Sequence, residues 1–309
     1  MVVISFFDYR ILKNNRSPII VLYSLSILML FGLIFFGVNV RGAESWYRIG
    51  GVTIEPVEFV KVVMVLLLAK YFSMRHIEMY RVRHIVLTGV YFGIPGLLVF
   101  LQPDLGSAGL IALMWIVILL VSGIKLRHFM ILVLIATIIF GTGWTFILQD
   151  YQKDRIMGFV EPELDPLGIG WSQLQSKIAI GNGGISGKGL MQGTQTQYGF
   201  LSEPHTDFIF AAIAEEMGLI GIIVLISLVS VLFWRLIRIG LQSQHNFARL
   251  FVIGFIAMLL APLVVNIGMN LGLLPIVGVS FPLVSYGGSA LIMTYIGLGI
   301  VQSIRAHQF

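Results

Sequence analysis

Three carboxylates stand in one apolar stretch, PHTDFIFAAIAEEMG (204–218). Asp207 comes first, behind Pro204, His205 and Thr206. A carboxylate at the mouth of an apolar helix can take a proton from a hydroxyl. It also suits a plainer role, since Thr206 or Asp207 can cap the helix, whose positive end favours negative charge. Glu215 and Glu216 follow eight and nine residues on, about 12–13 Å deeper. Ionisable groups at such depth face a cavity or a partner, and neighbours on a helix point apart. These two therefore read as structural ties between helices, or as members of a polar relay. A second set lies in IEPVEFVKVVMVLLLAK (54–70), where Glu58 and Lys61 share a helix face at i, i+3 and can pair. Lys61 could instead offer its charge to an anionic substrate. Trp46 and Arg48 complete the set: the tryptophan suits a membrane interface and the arginine a phosphate.

The elements that position these residues are membrane helices. Of 309 residues, 57% are hydrophobic and 11% charged, against about 25% charged in soluble domains. Runs of roughly 18–25 apolar residues span a bilayer as helices. Eight are expected, at about 18–38, 57–73, 85–101, 105–123, 129–148, 207–234, 250–273 and 286–304. The fold class is thus an all-α polytopic membrane protein, a single domain over 1–309. Thirteen of the twenty Lys and Arg, but only Asp8 and Glu78 among fifteen acids, fall in one set of loops. That set is expected to be cytoplasmic, with both termini inside. The net charge of +5 is then a topology signal and does not imply nucleic acid. The N-terminal residues MVVISFFDYR do not form a signal peptide, since their apolar part is short and no small-residue cleavage site follows. With no cysteine there is neither disulfide nor thiolate metal site.

Three stretches are expected on the opposite face: 39–56, a long extracytoplasmic loop at 149–206, and a Gly/Pro-rich segment at 272–289. A loop as long as 149–206 is functional more often than not. The glycine run at 181–189 is not a phosphate-binding loop. Lys188 is followed by Gly189 and not by Ser or Thr, and Asn182 stands where that pattern needs glycine. Glu203, His205 and Asp207 lie close in sequence, but no metal-binding pattern contains them. In 273–290, Pro275, Pro282 and a glycine pair interrupt the apolar pattern. Irregular backbone at membrane depth lines cavities, so this segment is expected to wall a site, with Ser285 and the amides of Gly287, Gly288 and Ser289 as donors.

The stretches GAESWYRIGG, EPVEFVK, QPDLGSA, IAIGNGGISGKG, GTQTQYGFLSEPHTDFIFAAIAEEMGLIG and NIGMNLGLLPIVGVSFPLVSYGGSALI run in this order from residue 42 almost to the end. Together they resemble the SEDS family (shape, elongation, division and sporulation; RodA, FtsW and SpoVE), on its RodA-like branch. The resemblance implies a peptidoglycan glycosyltransferase that polymerises lipid II, the undecaprenyl-pyrophosphate disaccharide-pentapeptide. It further implies a class B penicillin-binding protein as partner, the bacterial cytoplasmic membrane as location, and roles in cell elongation and shape. The family's essential aspartate matches Asp207, its outer-loop tryptophan Trp46, and its helix-borne Glu and Lys Glu58 and Lys61. Family members have ten helices, so the first and most of the second are not represented among the eight. Two patterns depart from the family: Q-P-S-E reads E-P-V-E, through Glu55 and Val57, and P-L-P-F reads Ser280-Phe281-Pro282-Leu283.

On that resemblance Asp207 is the expected general base. Lys61, Arg48, Arg155 and Lys188 are candidates to hold the leaving pyrophosphate, alone or with a divalent cation such as Mg or Mn. His205 and Thr206 flank the acid as substrate contacts. Two other readings stay open: a lipid-precursor flippase or proton-coupled carrier using Glu58, Lys61, Glu215 and Glu216 as a relay, and a non-catalytic scaffold for a penicillin-binding protein.

Overall fold

The structure, a computed structural model, describes residues 1–40, 43–75, 82–146, 150–160 and 169–307. Glu78 and Arg81 of the charge pattern, Gly42 of the first matching stretch, and 161–168 of the long loop lie outside the described residues. The chain forms two compact units: 1–130 with 233–261 and 288–309, and 131–232 with 262–287. Among the described residues six helices are long and apolar enough to cross a membrane, and the protein is a multi-pass membrane protein. The other two expected spans are helices as well. One is only seventeen residues long, and the other carries Glu58, Lys61 and Lys70.

The first unit begins with two short helices, α1 (Val2–Ser5) and α2 (Arg10–Asn14), and the apolar α3 (Ser17–Phe36). Where sequence suggested only loop, three antiparallel strands follow: β1 (Val38–Val40), β2 (Ala43–Ile49) and β3 (Val52–Ile54), in the order β1-β2-β3. Tyr47 pins β2 to the membrane helices by donating from its hydroxyl to the Met29 carbonyl at 2.7 Å. Gly32 leaves the room for it, since a Cβ there would lie 2.5 Å from that hydroxyl. Next come α4 (Pro56–Arg75), whose proline suits a first helical turn, α5 (Val82–Leu101) and α6 (Leu105–Val121). The QPD of the third matching stretch builds the α5–α6 corner. Gln102 Nε2 donates to the Leu30 carbonyl at 2.8 Å, and Asp104 caps α6 by accepting the Ser107 N–H at 3.0 Å. The unit also holds α13 (Gly288–Ala306), which packs on α4 and α1.

Three helices run through both units: α7 (Leu126–Phe146), α11 (Ile209–Gln242) and α12 (Asn246–Asn270). No residue in the apolar window of α7 is buried within the protein, so in a bilayer most of its surface meets lipid. The long loop is not structureless. It contains α8 (Asp150–Val160), α9 (Ile169–Gly183) and α10 (Thr194–Gln197).

The glycine run finds its role in the second unit. Helix α11 breaks at Gly218, where φ is +66°. The Leu219 and Ile220 N–H groups donate to the carbonyls of Gly184 and Ile185 at 2.9 and 3.1 Å. In return the carbonyls of Glu215 and Glu216 accept the N–H groups of Lys188 and Gly189, both at 3.0 Å. A break in a membrane helix needs substitute partners for its backbone, and this turn supplies them. The contact admits no side chain: a Cβ on Gly218 would lie 2.3 Å from the Gly187 nitrogen, and one on Gly187 would lie 2.1 Å from the Glu216 carbonyl oxygen.

Candidate active site

Asp207 lies in a turn two residues before α11 and is half-buried. Its backbone carbonyl accepts two buried side-chain amides, from Asn266 Nδ2 at 2.9 Å and Asn270 Nδ2 at 3.0 Å. The two asparagines stand i, i+4 on α12 and therefore share a face. Asn266 also donates to the Val279 carbonyl at 2.7 Å. Asn270 Oδ1 accepts the Ala211 N–H at 3.2 Å, so a first-turn amide of α11 is capped from α12. Ser176 on α9 donates to the Asn270 carbonyl at 2.9 Å, and Gln173 to the Leu274 carbonyl at 3.1 Å. Four segments are thereby stitched to the backbone of one acid.

The carboxyl end of that acid shares its surroundings with a cation. Gly278 has φ +71°, and a Cβ there would lie 3.8 Å from Asp207 Oδ2 and 4.0 Å from Arg155 Nη1. Acid and guanidinium thus face the same side of one glycine. A cation so placed offsets the repulsion between Asp207 and an anionic substrate. Beside them, Thr206 Oγ1 is buried without a hydrogen-bond partner among the described residues. A buried hydroxyl left so is costly unless something joins it.

The other expected residues have separate positions. Ser285 braces the site: its hydroxyl donates to the Thr206 carbonyl at 2.5 Å and accepts the Phe281 N–H at 2.8 Å. The His205 carbonyl accepts the Tyr286 N–H at 2.8 Å, and its ring is exposed. Gly287 is half-buried, and Gly288 opens α13. Lys188 sits at a different centre, that of Glu215. This fully buried carboxylate accepts the Thr194 hydroxyl at 3.1 Å, the Gln195 N–H at 2.9 Å, and the N–H and hydroxyl of Thr196 at 3.3 and 3.1 Å. Lys188 Nζ donates to Thr194 Oγ1 at 3.3 Å. Glu215 is therefore a structural tie, to the α10 turn.

In the first unit, Lys61 Nζ donates to Glu58 Oε1 at 2.6 Å, and both side chains are more than nine-tenths buried. Trp46 is half-buried on β2 opposite Val38, and exposed Arg48 lies opposite Thr53. The Glu55 N–H donates to Ser289 Oγ at 3.0 Å, joining this corner to α13. Among the described residues no three His, Asp or Glu side chains gather as a metal site.

Sequence reasoning missed Asn266, Asn270 and Gly278. Two amides at i, i+4 inside an apolar helix were the available signal, because buried amides need partners. Asn270→Ala should lower kcat by roughly tenfold or more with KM little changed, and should cost about 2 kcal/mol as the Ala211 N–H and the Asp207 carbonyl lose a partner. Steady-state kinetics on full chains of matched fold measure this.

A family model described as "Cell cycle protein", covering FtsW, RodA and SpoVE, matches residues 1–309. The chain belongs to this family. It is 42% identical to the Escherichia coli K12 peptidoglycan glycosyltransferase MrdB over 93% of this chain and 77% of that protein. It is 36% identical to the Bacillus subtilis stage V sporulation protein E, over 86% and 72%. Among solved structures, a chain of a peptidoglycan synthase complex, in work on coordinated polymerization and crosslinking, matches with TM-score 0.83 and 32% identity, over 100% of this chain and 85% of that one. The rod shape determining protein RodA of Thermus thermophilus matches with TM-score 0.71 and 28% identity, over 100% and 83%. The SEDS resemblance and the glycosyltransferase class expected from sequence are borne out by these likenesses.

Proposed function

We propose that this SEDS chain polymerises lipid II into glycan strands, with Asp207 as general base, and that it works as a single membrane domain. The observation that carries the reading is the setting of Asp207, which has its backbone held by Asn266 and Asn270 and its carboxylate on the same side of Gly278 as the Arg155 guanidinium. Asp207 takes the proton from the 4-hydroxyl of the acceptor sugar. That oxygen attacks the donor's anomeric carbon and inverts it. The bond from this carbon to the pyrophosphate oxygen breaks, undecaprenyl pyrophosphate leaves, and Asp207 passes its proton to water. Arg155 opposes the charge on the leaving group, and the unpartnered Thr206 hydroxyl contacts substrate. Should a divalent cation take part, the pyrophosphate supplies most of its ligands.

The charge asymmetry of the loops supports the bacterial cytoplasmic membrane with both termini inside and Asp207 on the outer side. The likeness to a peptidoglycan synthase complex supports a class B penicillin-binding protein as partner. A carrier reading fits less well: Glu58 and Lys61 are spent on each other, and Glu215 accepts four hydrogen bonds. The purified chain, given labelled lipid II in detergent where no second compartment exists, should yield glycan polymer. Translocation in vesicles without polymer in detergent would sustain the carrier, and binding of a penicillin-binding protein without polymer would sustain the scaffold.

A further inference from the structure

Between α10 and α11 the second unit holds two aromatic rings outside its core. Tyr198 is 74% exposed and Phe200 46%, and their rings meet edge to face with centroids 6.4 Å apart. The segment that carries them is fixed on both sides. Before them, the α10 turn hangs on the buried Glu215, and the Tyr198 N–H closes that turn on the Thr194 carbonyl at 3.1 Å. After them, the Leu201 N–H donates to the Gln195 carbonyl at 2.9 Å, and Leu201 is buried in one cluster with Phe208, Ala179, Ala211 and Ala212. Large apolar side chains held in place without burial mark a surface that something else covers.

The neighbours of the rings say what that is. Gln197 and Ser202 beside them are exposed, and Gln195 keeps its side-chain oxygen without a hydrogen-bond partner among the described residues. A hydrocarbon chain would leave these polar groups unserved, whereas a sugar has both an apolar C–H face and hydroxyls. Its C–H face carries partial positive charge and suits the electron-rich face of an aromatic ring. Phe200 adjoins Leu201, Leu201 shares its cluster with Phe208, and Phe208 adjoins Asp207. Adjacent Cα atoms are 3.8 Å apart, so Phe200 lies within roughly 20 Å of Asp207, a few sugar units away. We propose that Tyr198 and Phe200 form a subsite for the glycan strand, in which a sugar ring a few units from the new bond stacks on Tyr198; this rests on the polymerase reading above. A strand held there stays beside Asp207 between additions.

The test is calorimetric titration of the full chain in detergent with a lipid-free tetrasaccharide of alternating N-acetylglucosamine and N-acetylmuramic acid. The wild type should bind it. Tyr198→Ala should bind it roughly tenfold more weakly, and Tyr198→Trp at least as tightly as the wild type. Glycan strands made by Tyr198→Ala should also be shorter. No binding by the wild type would overturn the proposal and leave the rings to the membrane interface or to a protein partner. So would an unchanged affinity in Tyr198→Ala, or an equal loss in Tyr198→Trp. The wild type and the tryptophan variant decide even where the alanine variant unfolds. Polymer from a wild type that binds no tetrasaccharide would remove the subsite and leave the Asp207 reading standing. Tetrasaccharide bound through Tyr198, with no polymer from the wild type, would do the reverse.

Discussion

Asp207→Asn should abolish glycan polymerisation while leaving the chain folded and in the membrane. The amide matches the carboxylate in shape, so the backbone clamp survives: both asparagine bonds reach the Asp207 carbonyl and not its side chain. What disappears is the acceptor for the hydroxyl proton. General-base contributions amount to about 10²–10⁴-fold, and the substitution also removes the charge facing Arg155. A loss of at least a thousandfold in kcat, with folding unchanged in detergent, is the expected result. Asp207→Glu should retain part of the activity, because it keeps the charge and misplaces it by one methylene, and small misplacements of a catalytic group cost up to about a hundredfold. Gel analysis of labelled glycan strands from purified wild type and both variants measures these effects.

The second large effect concerns the fold. Lys61→Ala strands the Glu58 carboxylate in an apolar setting, with its 2.6 Å partner gone and its side chain more than nine-tenths buried. Breaking a buried pair from one side costs about 3–5 kcal/mol, whereas removing both charges together costs far less or nothing. Lys61→Met combined with Glu58→Leu should therefore unfold closer to the wild type than Lys61→Ala does. Thermal unfolding of the full chain in detergent compares the three. If Lys61 instead held substrate, the single variant would keep its unfolding temperature and raise KM for lipid II. The close pairing predicts the opposite order of effects.

How far these features were legible depended on which interactions define them. The membrane helices could be read because a span long enough to cross a bilayer must be apolar almost throughout, as α3 is. The Glu58–Lys61 pair could be read because both members sit on one helix at a fixed spacing. The strands at 38–54 could not. They are short, and what orders them is the contact of Tyr47 with the Met29 carbonyl. The glycine run lacks the residues of a nucleotide loop, as its sequence says, but its purpose depends on Gly218, about thirty residues away, and on a helix break that no local pattern announces. Capping of α11 by Thr206 or Asp207 is sound on local grounds. The Ala211 N–H is served instead by Asn270, which lies 59 positions further along the chain. Ser285 shows the same limit: its type suited a substrate donor, yet its hydroxyl bridges two backbone groups. Polar residues in this protein are committed chiefly to distant backbone, and that commitment becomes visible only once the chain is folded.

The most direct test separates binding from chemistry at Asp207. Wild type and Asp207→Asn are loaded with labelled lipid II under identical conditions, and retained substrate and glycan product are counted in the same sample. A general base at this position predicts lipid II held by both proteins and polymer made by the wild type alone. Polymer from the asparagine variant at an undiminished rate, or substrate lost together with product, would contradict it.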